Sequence, residues 1–250
     1  MPVTSPPRPR LRSARPRAGG VRVVLAAAAL ALSGCGSAPV TIDTGGVDGL
    51  VVPTPGIAPG DFEGDVVNPW FPLTPGTAHY RVDGPGNATA VEVRTTAEST
   101  PTAGVDAVKV HRVVRSGEDV VAEDTAWFAT DRAGNVWLVG ETGASTWVAG
   151  ADGAEAGLVM PARPRRGDGF ATARVDGEFP VRLEVIATDM ATTVATGEAD
   201  HLVVVQARTA ARPGVEEKWY FAPDTGLVLV ERGSGADRVR IELVDFAATP

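Results

Sequence analysis

The sequence predicts an all-β, antiparallel fold, in which two tandem β repeats form a curved-sheet sandwich or an open barrel. Three observations carry this expectation. After residue 35 no apolar period of three or four persists over the dozen residues that a helix requires. Alternation of period two recurs instead, as in Val91-Glu92-Val93-Arg94, Val108-Lys109-Val110-His111 and Val239-Arg240-Ile241-Glu242-Leu243. Finally, the stretch from Ala126 to Glu141, AWFATDRAGNVWLVGE, reads as a β-hairpin turning at Asp131 to Asn135, and a shorter version, KWYFAPDTGLVLVE, runs from Lys218 to Glu231.

The chain opens differently. Arg8, Arg10, Arg12, Arg15, Arg17 and Arg22 form a basic leader, an apolar run covers Val23 to Leu32, and Leu32-Ser33-Gly34-Cys35 follows. The apolar run is too short to span a bilayer, which needs roughly 20 residues. This segment resembles the signal peptide of bacterial lipoproteins. The resemblance implies removal of residues 1–34, a diacylglycerol on the sulfur of Cys35 and acylation of the new amino terminus, including palmitate. Two or more acyl chains make a stable anchor where one is marginal. Cys35 is the only cysteine, so no intrachain disulfide is available and stability must come from the core.

Charge separates along the chain. Six of the 23 basic residues and none of the 31 acidic ones precede Cys35, which leaves 17 against 31, a net charge of −14, on the remainder. Such a surface repels phosphate, so nucleic acid is excluded as a partner and the membrane is reached through the anchor at Cys35. Residues 35–67 comprise the lipidated N-terminus and a flexible tether rich in Gly, Pro, Thr and Asp, with a coil span of roughly 30 Å.

The β domain is expected over 68–250. Asn68-Pro69-Trp70-Phe71-Pro72 reads as an extended segment pinned on the core. Strands are predicted at Ala78 to Val82, Ala90 to Thr95, Ala107 to Val114, Val120 to Thr130 and Val136 to Val139. A connection with one short strand spans 142–157. Strands resume at Gly169 to Val175, Val181 to Thr188, Leu202 to Thr209, Glu216 to Ala222, Leu227 to Glu231 and Arg238 to Phe246. Trp127-Phe128 precedes Trp219-Tyr220 by 92 positions, and Val91-Glu92-Val93 precedes Leu183-Glu184-Val185 by the same offset. Gly104 and Gly197, and Glu141 and Glu231, fall at 93 and 90. This ordered match predicts an internal duplication, repeat one over 68–141 and repeat two over 158–246.

The blocks NPWFPLTPGT (68–77), EDTAWF (123–128), GNVW (134–137), GLVMP (157–161) and YFAP (220–223) are similar to those of a group of bacterial secreted proteins and lipoproteins frequent in actinobacteria. The resemblance implies fold and location, and no activity. His79 and Ala126 stand where that group often carries Tyr or Trp.

Sequence chemistry is sparse. His79, His111 and His201 have no metal-ligand spacing, and HExxH, CxxC, the phosphate-binding Gly-Lys loop and GxSxG are absent. No cofactor or metal is expected. Carboxylates crowd one hairpin: Glu118, Asp119, Glu123, Asp124, Asp131 and Glu141. They fit a solvated edge that discourages aggregation, a calcium site, or a general acid/base pair. Trp70, Trp127, Trp137, Trp147 and Trp219 fit a core or the lining of an apolar pocket. Asp124, Asn135 and Trp137 have no counterpart in the second hairpin and are the candidate functional residues. The expected role is a membrane-anchored, extracytoplasmic module of non-catalytic binding or envelope assembly, with a hydrophobic envelope ligand or a protein as partner. The alternative is an extracytoplasmic hydrolase using carboxylates around Asp124 to Glu141.

Overall fold

A computed structural model describes residues 58–62, 66–86 and 88–249. Cys35, the leader and most of the tether lie outside the described residues. The first half contributes β1 (Gly76–Asp83), β2 (Ala90–Thr102), β3 (Val105–Ser116), β4 (Asp119–Thr130), β5 (Val136–Thr142), β6 (Trp147–Val148) and β7 (Glu155–Met160). The second contributes β8 (Gly169–Ala171), β9 (Ala173–Arg174), β10 (Val181–Val194), β11 (Gly197–Thr209), β12 (Glu217–Ala222), β13 (Gly226–Arg232) and β14 (Val239–Ala248). Among the described residues the only helical turns are short 3-10 pieces at Pro59–Phe62 and Gly235–Asp237. The all-β, antiparallel expectation is met.

All the strands join one path, β8-β10-β11-β12-β13-β14-β1-β2-β3-β4-β5-β7-β9, with β6 paired to β5 beside it. Two antiparallel meanders, β2–β5 and β10–β13, are joined through β1 and β14, which pair from Gly76↔Ala248 to Asp83↔Arg240. Trp127-Phe128 and Trp219-Tyr220 lie on the third strand of each meander. The ends of the path are consecutive in the chain, since only Thr172 separates β8 from β9. Phe170 pairs with Leu183 of β10, and Ala173 pairs with Ala156 of β7. One extended segment, 169–174, therefore serves both edges of the curved sheet, without a ladder between β8 and β9. Gly157 of β7 packs against this seam. A Cβ at that position would stand 2.3 Å from both the Ala171 carbonyl oxygen and the Thr172 carbonyl carbon.

The core falls into two clusters. One gathers Ala107, Ala129, Val136, Trp137, Val139, Met160, Phe170, Leu183, Val185, Val203, Val205 and Phe221, with Trp70 and Phe71 packed on it. The other gathers Tyr80, Val91, Val194, Leu202, Val204, Tyr220, Leu229 and Leu243. Strand β11 feeds both clusters from its two faces, which is why Leu202-Val203-Val204-Val205 is a continuous apolar run without alternation.

The structure extends the expected strands where no regular alternation of apolar and polar residues persists. Strand β2 continues through Ala97-Glu98-Ser99-Thr100-Pro101-Thr102, and β10 through Asp189 to Val194. Strand β7 forms where only a connection and the start of the second repeat were read. Five of its six residues, Ala156 to Met160, are buried, so they carry no period-two signal.

Candidate functional site

The hairpin between β4 and β5 is built around one carboxylate. Asp131 Oδ1 accepts hydrogen bonds from the Ala133 and Asn135 backbone N–H groups, each at 2.9 Å. Its Oδ2 accepts from Asn135 Nδ2 at 2.8 Å and from Trp137 Nε1 at 2.9 Å. Asn135 Oδ1 in turn accepts from the Ala162 backbone N–H at 2.8 Å. The short side chain of Asp closes the turn locally, and Gly134 supplies φ +88° where the chain reverses. Asn135 and Trp137, two of the three residues unique to this hairpin, are thus engaged in shaping it. Trp137 is 7% exposed.

Asn68 locks the turn from the other side. It is 1% exposed, and its Nδ2 donates to the carbonyl oxygens of Gly134 (2.8 Å) and Pro161 (3.1 Å). Its Oδ1 accepts from the Trp70 and Phe71 N–H groups at 2.8 and 3.1 Å. The next residue reaches the other meander: Asp224 N–H, in the β12–β13 turn, donates to Pro69 O at 2.7 Å. Phe71 then sits 5.2 Å from the Phe128 ring and 6.2 Å from the Phe221 ring. The Asn-Pro-Trp-Phe segment is therefore the clamp that joins the two aromatic hairpins. Beside it, the 3-10 turn docks through Arg132 N–H to Asp61 O at 2.8 Å, leaving a recess of about 230 Å³ lined by Ala58, Asp61, Phe62, Asp131, Arg132, Ala133 and Trp137.

The carboxylates divide into separate groups. Asp124 lies against Arg112, whose Nε and Nη2 donate to its Oδ2 at 2.8 and 2.5 Å. Glu141 pairs across from Ala126, two residues along β4, so Asp124 and Glu141 are diagonal neighbours on one face. Burial raises the Glu141 carboxyl above the ordinary glutamate value, and the Asp124 charge adds to this, against a hydrogen bond from Trp147 and the Arg112 charge. Asp131, seven residues from Asp124, is about 23 Å away along an extended chain. The hairpin carboxylates therefore form one pair, Asp124 with Glu141, and Asp131 belongs to the turn. Among the described residues no three His, Cys, Asp or Glu side chains converge in a way that could hold a metal ion.

The Glu141 shift has a testable sign. Between the unfolded value and the raised folded value, the folded chain holds more protons, so stability falls as pH rises through that window. Glu141→Gln is expected to raise the melting temperature at pH 7 and leave it unchanged at about pH 3, below both values. Thermal melts of the two chains at both pH values check it. Glu217 behaves oppositely. It is 2% exposed, and burial works to raise its carboxyl. Arg212 (2.6 Å), Arg232 (2.9 Å) and the Trp219 indole (3.3 Å) outweigh that and hold it below the ordinary value.

Sequence reading missed two further constellations, because both need strand register. His111 pairs directly across from Thr125, its Nδ1 3.1 Å from Thr125 Oγ1 and its Nε2 3.3 Å from Glu123. This has the order of a hydroxyl, a base and an orienting carboxylate. Thr125, however, is buried in a strand paired on both sides, to His111 and to Thr142, so its backbone N–H is held in the sheet rather than aimed at a developing oxyanion. The second is a ladder of alternating charge, Asp83–Arg81–Glu242–Arg240–Glu231–Arg238, across β1, β14 and β13. The Tyr220 hydroxyl donates to Glu231 at 2.8 Å, and burial, with that bond and charge, pushes Tyr220 up to about 12.

No family model matches the sequence, and no curated protein matches it. Two crystal structures show a distant likeness. One is a candidate lipoprotein from Parabacteroides distasonis ATCC 8503, 12% identical, covering 73% of this chain and 100% of that one at a TM-score of 0.39. The other is a candidate exported protein with a YmcC-like fold from Bacteroides fragilis NCTC 9343, 12% identical, covering 71% of this chain and 98% of that one at a TM-score of 0.42. Likeness at this level leaves the reading of the chain to its own residues.

Proposed function

We propose that the chain is a lipoprotein held at the extracytoplasmic face of the cell membrane by acylated Cys35, acting as a non-catalytic binding or envelope-assembly module. The observation that carries the reading is the Arg-rich leader, the short apolar run and Leu32-Ser33-Gly34-Cys35, which ends in the chain's only cysteine. Residues 1–34 are removed, 35–67 tether, and 68–250 form the working domain. The blocks from Asn68 to Pro223 support this reading, since they resemble those of bacterial secreted proteins and lipoproteins.

The domain chemistry supports binding or assembly over catalysis. Asp131, Asn135 and Trp137 direct their polar atoms into the turn, and Asp124 faces Arg112. The surface left available is that of an acidic β scaffold. Its partner is a hydrophobic envelope molecule or another envelope protein.

Detergent phase partitioning and intact mass test the anchor. The unaltered chain is expected in the detergent phase, with the mass of residues 35–250 plus acyl groups. Cys35→Ala is expected to abolish the acyl mass and move the protein to the aqueous phase. An unaltered chain in the aqueous phase with a free Cys35 thiol would overturn the reading. Native mass spectrometry of protein released from its own membrane then tests the partner, through a bound lipid or protein mass.

A further inference from the structure

The β10–β11 hairpin is the longest in the fold, yet only its base belongs to the sheet. Strand β8 pairs with β10 over Arg182 to Glu184, and β12 pairs with β11 over Val203 to Ala207. Residues 186–202 are thus a two-stranded ribbon with no third strand beside it. Its register slips between Val185 and Ala187, between Ala187 and Met190, and between Met190 and Thr192. His201, opposite these slips, adopts φ +52°, which a non-glycine residue rarely does. Repeated bulges of this kind bend a ribbon sharply.

The bend carries the tip across the sheet. Strands β10 and β14 are separated by β11, β12 and β13, about 19 Å at the usual strand spacing, so they cannot touch in the plane of the sheet. Nevertheless Arg240 Nη2 of β14 donates to Thr193 O at 3.2 Å. The ribbon therefore folds over one face of β12–β14. That face is defined by register: Val204 pairs with Tyr220, Tyr220 with Leu229, and Glu231 with Arg240. Val194, near the tip, is 5% exposed and packs in the same cluster as Leu202, Val204, Tyr220 and Leu229. Thr188, Asp189, Met190, Ala191 and Thr193 of the ribbon are exposed to solvent.

A two-stranded ribbon has little stability of its own in water. Beyond the bulged hinge, this one is held by the buried Val194, the partly buried Ala199 and the hydrogen bond from Arg240 to Thr193 O. We propose that residues 188–200 form a flap that opens as a unit about the bulges between Val185 and Thr192. Val194 and the Arg240–Thr193 hydrogen bond are its latch, and opening uncovers the apolar strip of Leu202, Val204, Tyr220 and Leu229. The closed flap keeps that strip out of water, and the open flap exposes it. This device stands whether or not Cys35 is acylated.

Amide hydrogen exchange on the full chain tests it. The hydrogen-bonded amides of 188–200 are expected to share one protection factor, about 100-fold below that of 217–222, because they open together and below the global unfolding free energy. Val194→Asp is expected to lower ribbon protection about tenfold further and to raise binding of the dye anilinonaphthalene sulfonate, with 217–222 unchanged within about twofold. Protection that equals that of 217–222, or that decays stepwise from the tip as in fraying, would overturn the proposal. So would a Val194→Asp chain that lowers protection everywhere equally. If that variant does not fold, the unaltered chain alone decides, since the shared and lowered protection factor is read there.

Discussion

Asn68→Ala is expected to lower the unfolding free energy by about 4 kcal/mol, because several buried backbone groups lose their partners together. The side chain is 1% exposed and makes bonds to Gly134 O, Pro161 O, Trp70 N–H and Phe71 N–H. The Phe71 N–H keeps its 3.2 Å bond to the Asn68 backbone carbonyl, so the Gly134 and Pro161 carbonyls and the Trp70 N–H are the groups that lose a partner, at about 1–3 kcal/mol for each one left stranded. The clamp also loses its hold on the β4–β5 turn, while Pro69 O still binds the β12–β13 turn through Asp224. Asn68→Asp separates the two halves of the amide. It retains the acceptor for Trp70 and Phe71, yet sets a carboxylate against the Gly134 and Pro161 carbonyl oxygens, so it is expected to be no better than Ala at neutral pH. Urea denaturation of the three chains checks both statements. A loss below about 1 kcal/mol for Asn68→Ala would show that the clamp is held by Phe71 and its ring contacts instead.

Gly157→Val is expected to cost about 3–5 kcal/mol or to displace the 169–174 segment from β7 altogether. The obstacle is backbone: the Ala171 carbonyl oxygen and the Thr172 carbonyl carbon each lie 2.3 Å from where the Cβ would be, with Ala173 N at 2.5 Å. No rotamer change relieves that approach. The segment must move, although it is held by Glu155↔Arg174 and Ala156↔Ala173 on one side, by three pairs with β10 on the other, by the Thr172 N–H donating to Val181 O at 3.1 Å, and by Phe170 and Ala173 in the core. The Arg174–Glu155 ion pair, 3.0 Å long and exposed at both ends, adds little. Limited proteolysis reads the outcome directly. Cleavage within 169–174 is expected in the Gly157→Val chain under conditions where the unaltered chain is resistant. Equal resistance and equal stability would mean that β7 can shift without opening the seam.

Much of the fold was legible because half-buried strands write their burial into alternation. Strands such as β3 and β14 carry Val108, Val110, Ile241 and Leu243 at every second place. The signal fails at two extremes. Strand β7, buried from Ala156 to Met160, has no polar residue to mark a wet face. The outer part of β2 is almost wholly polar, and that of β10 sets Met190, Ala191 and Val194 out of a period of two, so neither marks a dry face. The turn of the aromatic hairpin at Asp131 to Asn135 is legible in the sequence, since Asp, Gly and Asn act locally there. Its partners were not legible: Asn68 and Ala162 meet Gly134 and Asn135 only through tertiary packing. The carboxylates illustrate the same limit. Parity within β4 separates Asp124 from Glu123, but only the β4–β5 register brings Asp124 beside Glu141 and leaves Asp131 with the turn.

The pairing of β1 with β14 has a consequence for how the chain comes together. Every other neighbouring pair in the sheet is formed by strands close in sequence, so each can zip from its own turn. Gly76 and Ala248, in contrast, begin the search for each other with more than 170 residues of chain between them. Closing so large a loop costs several kcal/mol of chain entropy before any ladder bond repays it, which makes distant strand pairing slow. The two meanders are therefore expected to assemble early and separately, with the β1–β14 ladder as the late, rate-limiting encounter. The same pairing sets the two ends of the domain side by side in mid-sheet. A chain permuted to start at the seam and joined from Ala248 to Gly76 would turn that slowest contact into an ordinary hairpin.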